Sequence, residues 1–179
     1  MNQTLVSIVL HSAVVLVFAL AMEGVAGLLH TYVMHGIGWY LHEDHHNRKN
    51  HTFEKNDAYA LFFALISFLL IYNGLLLGQS LMVAAGAGTT LYGVGYILFH
   101  EIMFHRRIKR LRLNPKHPYL RRIINAHRLH HAAVTREDAV SFNFLWAPRY
   151  YHPENQEAVD RDIREMMQGQ LAKKRSRSG

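Results

Sequence analysis

Three stretches of this chain are too long and too apolar to sit in the core of a small globular domain. Residues 58–77 and 81–99 contain no Asp, Glu, Lys, Arg or His, and from Leu5 to Leu29 the only such residues are His11 and Glu23. Each run has about the ~20 residues that a helix needs to cross ~30 Å of hydrocarbon. They are read as membrane spans. The first lacks a basic leading segment, and no small-x-small site precedes a polar mature chain, so it is read as an anchor and not as a secretory signal. Only Gly78, Gln79 and Ser80 separate the second and third runs, which predicts an antiparallel helical hairpin.

The hairpin puts Asp57 and His100 on one side of the membrane, together with residues 30–56 that lead into it. Charge decides which side that is. Seventeen of the twenty Lys and Arg follow His105, the others are Arg48, Lys49 and Lys55, and none lies in the opposite-side segments MNQT and GQS. The positive-inside rule makes this face cytoplasmic and leaves the N-terminus outside. A topogenic, lipid-facing surface also accounts for the net charge of +7 and the pI near 9.8, so nucleic acid is not expected as a partner.

After the third run, RRIKRLRLNPKHPYLRRIINAHRLHH reads as a basic stretch broken by Pro115 and Pro118, then a helix from Tyr119 through His131. Its apolar residues are too interleaved with charge to cross a bilayer, which predicts a fourth, short or interfacial helix. SFNFLWAPRYY is aromatic and stopped by proline, as expected of a segment dipping into the headgroup region. The chain therefore reads as an all-α integral membrane protein. Residues 1–150 are expected to form one domain and 151–179 a basic, partly disordered tail ending in KKRSRSG.

Cysteine is absent, which excludes disulfides, thiolate metal sites and an iron–sulfur cluster built by this chain. Histidine occurs fourteen times, and ten of these fall in four clusters. HTYVMH carries His30 and His35, and HEDHH carries His42, His45 and His46. HEIMFH carries His100 and His105, and HRLHH carries His127, His130 and His131. The order H-x4-H, H-x2-H-H thus occurs twice. In a helix, positions i+3 and i+4 lie within roughly 60° of i, so each triplet forms one stripe of imidazoles. An i, i+5 pair diverges by roughly 140° in an ideal α-helix. The H-x4-H pairs must therefore reach different metals, or sit where the helix ends or bulges. Ten imidazoles gathered on one face would repel one another when protonated and lack partners when neutral, unless metal takes up their lone pairs. His11, His51, His117 and His152 are read as interfacial side chains.

HEDHH can also be parsed as H-E-x-x-H, with Glu43 as the general base of an intramembrane zinc protease. A zinc site needs three protein ligands, which would leave seven clustered histidines over, and Arg128 occupies the corresponding place in HRLHH. Haem needs only two axial ligands and gains nothing from adjacent histidines. Two metals with five or six ligands each, and positions left for oxygen, match the count as a dinuclear iron site.

With HTYVMHG, HEDHH, FEKNDAYA, HEIMFH, HRLHHA and SFNFLWAP, the chain resembles the membrane fatty-acid-hydroxylase superfamily from about Glu23 to Pro148, and within it the bacterial non-haem β-carotene 3-hydroxylases. The resemblance implies metal-ligand roles for all ten clustered histidines and an all-helical fold in the bacterial inner membrane. It also implies a di-iron centre on the cytoplasmic side and C-3 hydroxylation of β-ionone rings, from β-carotene through β-cryptoxanthin to zeaxanthin, or from canthaxanthin to astaxanthin. Another membrane di-iron lipid or sterol hydroxylase or desaturase is the alternative within the superfamily. A ring C–H resists acid, base and nucleophile, so the implied reaction needs O2 as co-substrate and an external source of electrons. No G-x-G-x-x-G follows a strand, so the chain lacks a nicotinamide or flavin fold of its own. Reduced ferredoxin with its reductase is the expected donor, docking on the basic face. The carotenoid is expected to enter laterally from the bilayer. Small residues in the third span, including the Ala84/Gly88 and Thr89/Gly93 pairs, permit close helix approach or a groove for the polyene. Glu23, on the face of His30, and Asp57, at the mouth of the second span, are candidates to support the metal ligands from behind, Asp57 equally as a helix N-cap.

Overall fold

The computed structural model describes residues 2–47, 53–108, 110–111 and 113–177, and these contain no strand. Helix α1 (Gln3–Leu29) continues into π-helical turns over His30–Ile37, and α2 (Trp39–His46) follows after Gly38. Helices α3 (Asp57–Leu76) and α4 (Ser80–Tyr96) form the hairpin, and α4 again runs on as π-helix over Ile97–Phe104. Helix α5 is Pro118–Ala132, and two 3-10 turns, Arg149–Tyr151 and Pro153–Asn155, lead into α6 (Gln156–Arg177). Three helical stretches are long and apolar enough to cross a membrane: Gln3–Ile37, Asp57–Leu76 and Ser80–Phe104. The protein is an all-α membrane protein, as the hydropathy predicts.

The hairpin reverses at Gly78, whose φ of 63° suits a residue without Cβ. Helix α4 lies between α1 and α3, and its small residues let the backbones close in. A methyl on Gly86 would stand 2.7 Å from Ile71 Cγ1, and one on Gly88 would run into the Val15 carbonyl oxygen. Ala84 and Gly88 are buried at this contact, whereas a methyl on Gly93 would meet nothing. The stripe serves helix packing, and Gly93 takes no part. Outward side chains such as Leu20, Leu61 and Leu75 are exposed, as lipid-facing residues of a span are.

At the end of the third span, a further core forms with α5 and α6. Met103, Ile123, Ala126, Leu129, Ala147, Tyr151 and Val159 are buried together there, with Ile163 and Met166 packed against them. This corrects the expected partly disordered tail. Val159, Ile163 and Met166 recur at helical spacing and face α5, a periodicity that the charged residues around them obscure in the sequence. The aromatic segment also departs from a simple dip into the headgroups. Phe144 is buried against Met22 and Tyr92, while Trp146 stays 61% exposed.

Candidate metal centre

Both H-x4-H pairs lie on π-helical turns. The His105 amide donates to the His100 carbonyl five residues back at 2.9 Å, and the Gly38 amide to the Val33 carbonyl at 2.7 Å. Bonds from i to i+5 widen the turn so that residues five apart stack on one face. The divergence of an ideal α-helix is thereby removed, and each pair converges. His30 and His35 have ring centroids 5.2 Å apart, His100 and His105 4.5 Å apart.

The ten histidines gather into two adjoining sets. His30, His35, His42, His46 and His130 offer nitrogens within 4.8 Å of one another, and so do His45, His100, His105 and His131. His127 joins the second set, with its Nε2 2.8 Å from that of His105 and its ring 4.4 Å from that of His131. The triplets therefore divide: His42 and His46 face one set and His45 the other, while His130 leaves His127 and His131.

Hydrogen bonds behind the rings fix which nitrogen faces inward. In the first set the Nδ1 atoms of His30, His35, His46 and His130 donate to the carbonyls of Phe142 (2.8 Å), Arg136 (3.2 Å), Ala133 (2.7 Å) and Val140 (2.9 Å). His42 Nδ1 donates to Asn56 Oδ1 at 2.7 Å. In the second, His45 Nδ1 donates to Glu54 at 2.6 Å and His100 Nδ1 to Glu101 at 2.7 Å. An imidazole with its proton on Nδ1 presents a bare lone pair at Nε2. The Nε2 atoms of His30 and His42 stand 3.1 Å apart and those of His45 and His100 3.3 Å apart. Lone pairs so close repel unless a cation lies between them. Ligands at about 2.1 Å from an ion and at right angles to each other would be ~3 Å apart.

The buried Nε2 atoms of His35, His46, His130 and His131 have no protein partner. Such orphans are costly in a folded protein, and metal ions satisfy them. Burial, reinforced by the neighbouring imidazoles and opposed by hydrogen bonds to Asn56 and Ala133, holds His42 down to about 3 and His46 to about 4. The same causes hold His45, His130 and His131 well below the ordinary imidazole value. These five rings are thus neutral at physiological pH, the state that binds metal.

Glu43 is exposed, whereas His42, His45 and His46 on the same helix are buried. The H-E-x-x-H parse therefore has no inward base. Glu23 does not support a histidine. Its Oε1 accepts from the Leu145 and Trp146 amides at 2.8 and 3.0 Å and its Oε2 from the Tyr92 hydroxyl at 3.2 Å, so it pins the aromatic segment to α1 and α4. Asp57 is neither cap nor histidine partner. Asn56 holds the N-cap position, and Asp57 binds Arg107 at 2.7 and 2.9 Å and accepts from the Glu54 amide at 3.1 Å. Arg107 also reaches Glu101 at 2.6 Å, so Asp57 acts one step further out.

The partners that do reach histidines, Glu54, Asn56 and Glu101, were not singled out from the sequence. Their signal was a polar residue beside each motif, in FEKND and HEIMFH. The four carbonyl acceptors have no side-chain signal at all. Of the bystanders, His11 donates to the Ser7 carbonyl, and His117 and His152 accept from the amides of Tyr119 and Glu154. His51 lies outside the described residues.

A cavity of about 60 Å³ touches both sets, through His30 and His42 on one side and His100 and His127 on the other. Tyr92, Tyr96, Phe142 and Phe144 wall it with aromatic surface.

A model of the fatty acid hydroxylase family matches residues 15–147. The beta-carotene hydroxylase of Pantoea ananas is 44% identical over 138 residues, which are 77% of this chain and 78% of that one. That of Pseudescherichia vulneris is 42% identical over 137 residues, 76% of this chain and 77% of that one. A beta-carotene hydroxylase from a Paracoccus species is 40% identical over 136 residues, 75% of this chain and 83% of that one. No solved structure matches.

Proposed function

The chain belongs to the fatty acid hydroxylase family, and from that membership we propose that it is a membrane monooxygenase that hydroxylates C-3 of carotenoid β-ionone rings. Two ions of non-haem iron, one in each histidine set, are its cofactor. The observation that carries the reading is the convergence of ten imidazoles in two adjoining sets, with the buried Nε2 atoms of His35, His46, His130 and His131 left without a protein partner, beside an aromatic cavity. The names of its bacterial relatives supply the substrate class.

The reaction balances as R–H + O2 + 2 e⁻ + 2 H⁺ → R–OH + H2O. Bound iron supplies the reactivity towards O2 that an unactivated ring C–H demands. The chain's own residues hold and orient the ring. Phe142, Phe144, Tyr92 and Tyr96 exclude water from the cavity, and the backbone carbonyls behind the first set keep its rings aimed. The histidine end faces the cytoplasm of a bacterial inner membrane, a reading supported by the position of the basic residues. Electrons come from an acidic donor of the ferredoxin type. A concave surface of about 1240 Å³ with Arg106, Lys116, Arg121 and Arg128 in its wall reaches His105, and its charge suits such a partner.

Expression in cells that accumulate β-carotene tests the reading. Chromatography should show β-cryptoxanthin and zeaxanthin, formed only with O2 and iron present. Unchanged pigment in aerobic cells that contain the inserted protein and a ferredoxin system would sink it.

A further inference from the structure

The two histidine sets differ in what stands behind them. Every Nδ1 of the first set has a neutral acceptor: four backbone carbonyls and the Asn56 amide. In the second, His45 and His100 donate to the carboxylates of Glu54 and Glu101, whose side chains are 8% and 13% exposed. These two carboxylates belong to one network. The Glu54 amide donates to Asp57, Asp57 pairs with Arg107, and Arg107 pairs with Glu101. Two carboxylates thus accept directly from imidazoles of the second set, whereas every acceptor of the first set is uncharged.

A carboxylate that accepts the Nδ1 proton makes the imidazole a stronger donor at Nε2, and a buried negative charge favours a cation nearby. We propose that the two metal positions are inequivalent, and that Glu54 and Glu101 act as positioning residues that make the second set the tighter one. The proposal rests on the reading of the histidine sets as metal positions. Glu54 locks His45 and Glu101 locks His100, so the second position fills first and loses its ion last.

The test is a titration of full-length, metal-free protein in detergent with Co²⁺, followed by visible absorption and by metal content after gel filtration. The wild type should take up two ions in two resolved steps. Glu54→Gln and Glu101→Gln keep the shape of the acceptor but remove its charge. Each should weaken the tighter step by roughly 10- to 100-fold and leave the weaker one in place, so that the steps merge. Asn56→Asp puts a carboxylate behind His42 of the first set and should tighten the weaker step. This second variant gains affinity, an outcome that misfolding cannot imitate. Two equal steps in the wild type, or equal weakening of both steps by Glu54→Gln, would overturn the proposal while leaving a dinuclear centre intact. Fewer than two ions at saturation in the wild type would overturn the metal reading itself, and the proposal with it.

Discussion

The segments His30–His46 and His100–His131 carry the same histidine order and divide it in the same way. Each set takes the H-x4-H pair of one segment, the first and last histidines of that segment's triplet, and the middle histidine of the other's: His130 joins the first set and His45 the second. The supports do not follow this symmetry. Four of the five rings in the first set lean on carbonyls between Ala133 and Phe142, whereas His45 and His100 lean on carboxylates. The spacing differs too. Gly38 alone separates the π turns from α2, but residues 105–117 separate the second π turns from α5, and Arg106 and Lys116 of that stretch enter the basic concavity. Inward geometry can thus repeat while the outward parts diverge, one towards an anchored backbone loop and the other towards charge and the surface.

The largest effects should respect the symmetry. Alanine at any of the ten histidines removes a ligand, and hydroxylation should fall by at least about a hundredfold, read as pigment composition. The crossing histidines sharpen the division. His130→Ala should cost the first set its ion and His45→Ala the second, each leaving about one bound ion after chelator dialysis. Loss of both ions from both variants would mean that the sets are one undivided site.

Acid should act on the metal-free protein next. His42 and His46 are held to about 3 and about 4, below their ordinary 6.5. Between those values the unfolded chain binds more protons than the folded one, so stability is full above pH 6.5 and is lost as pH falls through the window. The expected result is a Tm that drops from pH 7 to pH 5. A flat or rising Tm would mean that the rings are not buried neutral.

The asymmetry of support predicts smaller changes confined to one set. Ser141 sits at φ 62°, between the two residues whose carbonyls hold His130 and His30. A left-handed non-glycine costs about 1 kcal/mol, and a β-branched residue there costs more. Ser141→Gly should be tolerated, and Ser141→Val should swing both carbonyls and loosen only the first set in the cobalt titration. Helix α6 braces the same loop. Gln170 accepts from the Val134 amide at 3.0 Å, and Lys173 pairs with Asp138 at 3.0 Å. Gln170→Ala should cost about 1 kcal/mol and a few-fold in activity, whereas Lys173→Ala, at an exposed pair, should cost less in a thermal melt. The functional unit on this reading extends past residue 150, beyond the family match.

Much of this was legible in the sequence because it is periodic or compositional. The spans, the hairpin and the ten histidines all declare themselves in that way. The triplets read as stripes, but two adjoining sets divide each stripe, and only three dimensions show the division. The π turns were legible as a conflict: an i, i+5 pair had to diverge or the helix had to widen. Glu23 misled because helical phase puts it on the face of His30, but about 10 Å of helix rise separates the two. Seven residues back along the span from His30, Glu23 accepts instead from the amides of Leu145 and Trp146. The carbonyls behind the first set could not be read at all, since every residue has one.

The smallest effect is expected at Glu43, where the same five letters HEDHH allowed two chemistries. A protease base must face the metal, and its loss abolishes activity. Glu43 instead is exposed on α2, where His42, His45 and His46 are buried. Its neighbour Asp44 makes the local contact, accepting from the Lys55 amide at 2.7 Å. Glu43→Gln changes one surface charge, an effect usually within about 0.5 kcal/mol. Carotenoid hydroxylation should stay within a few-fold of wild type, both steps of the cobalt titration should be unmoved, and His45→Ala in parallel should be dead. A silent His45→Ala beside an inactive Glu43→Gln would restore the protease parse and dissolve the two-set centre.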